Sequence, residues 1–144
     1  MRSFLGSLVR DLCRQYRPSA LLLDSFSYLD AVHREHHELM FVSPGAFGKY
    51  LLSLCFCPAS CERLRGAGID PVALRAQVVT LVRRVVTETP GPRSPEAERD
   101  ELTALLLEFP EFLAAARVRS EIVHELLVHV AGIAREVGRA NNAL

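Results

Sequence analysis

The sequence has no tryptophan and only one lysine, Lys49; every other basic side chain is an arginine. It has four cysteines, too few for a disulfide-stapled scaffold. Eight glycines in 144 residues rule out a collagen-like chain. Charge of one sign is also missing, because 17 basic residues balance 17 acidic ones. A nucleic-acid binder usually carries a basic excess, so that class is set aside. No apolar run approaches the roughly 18–20 residues that span a bilayer. Arg2, Arg10 and Asp11 interrupt the apolar pattern at the N-terminus, which does not read as a signal peptide. The expected setting is the cytoplasm, with no membrane partner. No Gly-x-x-x-x-Gly-Lys-Ser/Thr loop is found, so the common phosphate-cradling route to ATP hydrolysis is absent.

What is present is helical patterning. Apolar residues make up 49% of the chain, enough for a core. Phe4, Leu5, Leu8, Val9, Leu12 and Cys13 recur with the spacing of one helical face, predicting a helix over 3–16. Pro18 should end it. Leu21, Leu22, Phe26, Leu29 and Val32 predict a second helix over 19–37. Ser43-Pro44 predicts a helix start before Phe47, Tyr50, Leu51 and Leu54. Pro58 opens a short piece, and Gly66 and Gly68 break the chain. Asp70-Pro71 and Ser94-Pro95-Glu96 are cap-plus-proline starts for two more helices. Between them, Thr89-Pro90-Gly91-Pro92-Arg93 reads as a linker. Pro110 interrupts the later helix, a short piece follows over 111–116, and Ser120 is expected to cap a final helix. The expected fold is therefore all-α, with seven or eight helices and no strand.

An offset of 76 residues superposes several of these marks. Val42-Ser43 falls on Val118-Arg119, Leu51-Leu52 on Leu127-Val128, Pro18-Ser19 on Ser94-Pro95, and Phe26 on Leu102. The expectation is a pseudo-twofold duplication of one helical module. Its parts are an N-terminal helix at 1–17, a first repeat at 18–88, a linker at 89–93 and a shortened second repeat at 94–144.

The stretch Val42-Ser43-Pro44, then Leu51-Leu52, then Gly66-Ala67-Gly68-Ile69-Asp70-Pro71-Val72-Ala73-Leu74-Arg75 resembles the Clp repeat. That module stands at the N-terminus of Clp/Hsp100 AAA+ unfoldases. Arg117-Val118-Arg119-Ser120 looks most like the second repeat of the type VI secretion members. The resemblance covers roughly residues 19–131. It implies a pseudo-twofold bundle without catalytic activity or cofactor, which recruits clients or adaptors to an ATP-driven ring. It also implies a free-standing module or the N-terminal part of a longer chain. Some family members bind phosphoarginine through two glutamates. Ser120-Glu121 keeps one such position, whereas Gly45-Ala46-Phe47 departs from the other.

The candidate protein-binding residues are Phe4, Leu5, Leu8 and Leu12 on the N-terminal helix, with Ser120 and Glu121 from the resemblance. An apolar helical face of this kind can equally be core. The expected partner is a Clp-type unfoldase, its clients or its adaptors. Cys55, Cys57 and Cys61 are the weak metal candidates, with His33, His36 or His37 as a fourth ligand. Their spacing is not a standard zinc pattern, and cysteine is also a common small core residue. A redox disulfide between Cys57 and Cys61 is a further reading, disfavoured in a reducing compartment. Two alternatives to the Clp function stand beside it: a metal- or redox-responsive regulator built on these thiols, or an assembly subunit of a secretion or phage machine.

Overall fold

A computed structural model describes residues 2–24, 28, 45–87 and 94–142. Six α-helices and no strand occur among them: α1 Arg2–Tyr16, α2 Gly45–Leu52, α3 Pro58–Gly66, α4 Pro71–Thr87, α5 Pro95–Glu108 and α6 Pro110–Asn142. All the regular structure among the described residues is helical, as the expected all-α class requires, while the seven or eight helices and the pseudo-twofold duplication are not shown.

The two cap-plus-proline starts are where the sequence places them. The Asp70 carboxylate accepts from the Val72 amide at 2.9 Å, and Pro71 fills the first position, where its missing N–H costs nothing. Gly68 just before it has φ +77°, a left-handed turn that glycine makes without strain. The Ser94 hydroxyl accepts from the Ala97 amide at 3.2 Å, with Pro95 next and Glu96 in the first turn. Pro110 separates α5 from α6, and Phe109 leaves the helix at φ −124°, ψ 83°.

Two expectations fail locally. Residues 19–24 form no helix. In Ser94-Pro95 the hydroxyl precedes the proline and caps. In Pro18-Ser19 the order is inverted, and Arg17 turns left-handed at φ 44°. Tyr28 is likewise outside any helix, and the other residues of the expected second helix, the Ser43-Pro44 start, the three histidines at 33, 36 and 37, and the 89–93 linker lie outside the described residues. The second failure is at Ser120, which caps nothing. It lies inside α6, a single helix of 33 residues. No proline or glycine stands between Glu111 and Ala131 to end the preceding turn, so the hydroxyl has no free helix end to serve.

The chain divides into two compact units, Met1–Ser27 with Ser120–Leu144, and Tyr28–Arg119. In the first, Val9 and Cys13 of α1 bury against Val130, Ile133 and Val137 of α6, and Leu5, Leu23 and Leu126 pack around them. Gly6 lies in the same seam. A Cβ there would stand 2.8 Å from Ile133 Cδ1 and 3.1 Å from His129 Nε2, so a larger residue would have to displace the ends of these two side chains.

In the second unit α2 packs on α4 and α5, and α3 on α4. Its core includes Phe47, Leu51, Leu64, Leu74, Val78, Leu105 and Phe112. Phe112 meets Tyr50 edge-on at 6.3 Å and Phe109 at 5.8 Å. The Tyr50 hydroxyl donates to the Phe112 carbonyl at 2.5 Å. Arg119 donates to the Ser53 hydroxyl at 2.9 Å and stacks 4.7 Å over the Tyr28 ring.

Candidate protein-binding face

The first unit carries the candidate docking surface. α1 is a helix because its apolar residues repeat every three or four positions, but its buried seam is Gly6, Val9 and Cys13. The four candidates therefore separate. Leu5 and Leu12 are half-buried, and Leu5 belongs to the core. Phe4 is 69% exposed and Leu8 is exposed as well. The Arg2 guanidinium pairs with the Glu125 carboxylate of α6, tying the first turn of α1 down. That exposed ion pair contributes little stability. Ser120 and Glu121 are exposed on α6, Glu121 one turn ahead of Glu125.

A cleft of about 680 Å³ opens between the end of α1, the irregular segment after it and α6. Cys13, Leu21, Leu23 and Val130 are among its apolar lining residues, and Arg17 and Arg135 line it as well. Helical patterning of the sequence finds Cys13 and Val130. It misses both arginines, because Arg17 enters only through its left-handed turn before Pro18. Chemically the cleft suits an apolar side chain flanked by carboxylates, which arginine binds in a planar, bidentate fashion.

In the second unit, Cys55, Cys57 and Cys61 gather at the start of α3, and all are free thiols. Cys57 is the N-cap of α3, with extended backbone at φ −66°, ψ 161°. It is exposed, and its thiol donates to the Ser60 hydroxyl at 3.4 Å. The Cys61 thiol donates to the Phe56 carbonyl at 3.3 Å. Hydrogen bonds from the Ser60 side chain and backbone, then from the Cys55 thiol, favour the thiolate and lower Cys57 from 9.0 to about 7. Among the described residues no three His, Cys, Asp or Glu side chains gather to hold a metal ion. His124 and His129 are both exposed. No described helix is long and apolar enough to cross a membrane.

The chain matches no family model, no curated protein and no solved structure.

Proposed function

We propose that the protein is a non-catalytic binding module for other proteins, with the cleft of the first unit as its docking site. The observation that carries this reading is the pairing of apolar walls with Arg17 and Arg135 in one opening. An amphipathic segment with an acidic flank would lay a large apolar side chain against Leu21, Leu23 and Val130, and its carboxylates against the guanidiniums. Exposed Phe4 and Leu8 extend the apolar surface available on α1.

The resemblance to the Clp repeat supplies the partner class: a Clp-type AAA+ unfoldase, its clients or its adaptors. The Gly68-Ile69-Asp70-Pro71 turn into α4 supports that likeness. The role is then to recruit or regulate substrates without chemistry of its own.

The test is a binding titration of the purified full chain against the purified Clp-type unfoldase of the same host and its adaptors. Saturable binding is expected. The Arg135→Glu variant should weaken it at least about ten-fold by placing a carboxylate against the partner's own. Absence of binding to the unfoldase and to every adaptor, or equal affinity of the variant, refutes the proposal.

A further inference from the structure

The docking reading leaves the outer faces of α4 and α5 in the second unit unused, and these two faces are opposite in charge. α4 carries Arg75, Arg83 and Arg84 and no acidic residue. Val72, Val79 and Val86 recur on it every seven residues, and all three are exposed, Val72 by 71%. At 100° per residue they form one narrow stripe, with exposed Arg75 on one side of it and exposed Arg83 on the other. The buried residues of α4, Pro71, Leu74 and Val78, face elsewhere, and the helix packs on α2 and α3. A strict seven-residue apolar repeat is the pattern that keeps a stripe turned toward one partner helix.

The complement stands on the same chain. α5 carries Glu96, Glu98, Asp100, Glu101 and Glu108 against the single Arg99. Glu96, Asp100, Thr103 and Leu107 line up on one exposed face of it, opposite buried Leu105. Leu107 is among the most exposed large apolar residues described. Glu96 is held only by an exposed pair with Arg99 at 3.1 Å, a bond weak enough to be exchanged for another arginine. The whole chain has zero net charge, so two copies meet without overall repulsion.

We propose that the chain forms a twofold homodimer through its second unit, with α4 of each copy packed antiparallel on α5 of the other. Val72 to Arg83 spans eleven residues, about 16 Å of helix, and Leu107 back to Glu96 spans the same. Setting Val72 on Leu107 of the second copy therefore sets Ala76 beside Thr103, and Arg83 on Glu96 with Asp100 one turn away. A planar guanidinium suits that pair of carboxylates. The twofold makes the contact twice, since each copy supplies one basic and one acidic face. Charge fixes the direction: a parallel pairing would put the α4 end bearing Arg83 and Arg84 at the Leu107 end of α5, away from Glu96 and Asp100.

The experiment is sedimentation of the full chain from about 1 μM to about 1 mM at low salt, with helical circular dichroism as the check on folding. The mass should rise from 16.0 kDa to twice that value and stop there. Arg83→Glu, Asp100→Arg and Val79→Glu should each weaken the dimer at least about ten-fold while the helical signal is kept. Mixing the Arg83→Glu chain with the Asp100→Arg chain should restore much of the affinity, because each charge then meets its opposite across the contact. A monomer at every concentration, assembly beyond two copies, unchanged dimerisation of the folded variants, or no gain on mixing overturns the proposal. None of these outcomes bears on binding at the first unit's cleft.

Discussion

Replacing Phe112 by alanine should remove a large share of the protein's stability. Phe112 is 0% exposed and stands edge-on to both Tyr50 and Phe109. An aromatic side chain buries about 150–250 Å². At about 25 cal/mol per Å² that is about 4–6 kcal/mol of transfer free energy, of which alanine keeps a part. The expected loss is about 3–5 kcal/mol, against a total of about 5–15 kcal/mol for a domain of this kind. The Tyr50 hydrogen bond is to the Phe112 carbonyl, which alanine retains, so the loss measures packing alone. Denaturant unfolding followed by circular dichroism reads it as a lower midpoint with an unchanged slope. Leu107→Ala is the control, since Leu107 is 79% exposed and its truncation should change stability by less than about 0.5 kcal/mol. A loss below about 1.5 kcal/mol at Phe112, or equal losses at the two sites, would refute the core as described.

Two further perturbations probe particular contacts. Burial pushes the Tyr50 hydroxyl up to about 12, with Arg119 opposing, so the folded protein keeps this proton above pH 10 where the unfolded chain releases it. The resulting stability is complete below pH 10 and is lost between pH 10 and 12, and Tyr50→Phe should flatten that decline in pH-dependent melting curves. Gly6→Leu should cost about 1–3 kcal/mol by overpacking against Ile133, whereas Gly132→Ala, with open space around it, should stabilise by about 0.5–1 kcal/mol. A Gly6 variant as stable as the parent in thermal unfolding would contradict the close seam.

The helix starts at Pro71 and Pro95 were legible because a cap and a proline act on the next few amides, and nothing distant is needed to decide them. The face of α1 was only half legible. Periodicity marks Phe4, Leu5, Leu8, Val9, Leu12 and Cys13 as one stripe wider than the seam that α6 can cover. Which edge stays wet depends on the partner helix, and glycine at position 6 draws the seam to its own side. The two cleft arginines were not legible at all, since one follows a turn and the other faces a segment far away in sequence. The Cys57 environment was partly so. The sequence shows three thiols near Pro58, but that Cys57 faces Ser60 while Cys61 faces the Phe56 carbonyl is a matter of backbone path.

The 76-residue offset failed at Ser120 for a related reason: matching positions of apolar and hydroxyl residues says nothing about whether the helix before them has ended. The difference can be measured. If Ser120 capped a new helix, position 121 would be its first residue, where proline is welcome. In the continuous α6, a proline there removes a hydrogen bond to Arg117 and collides with its carbonyl, at a cost of about 3 kcal/mol or more. α6 carries Phe112, Ala115 and Val118 in one core and Val130, Ile133 and Val137 in another, so its backbone runs from one unit into the other. Glu121→Pro should therefore lower the denaturation midpoint and reduce the helical circular dichroism signal, while Glu121→Ala leaves both unchanged. Full stability in the proline variant would restore the helix break at Ser120, and with it the repeat register, in place of the continuous helix.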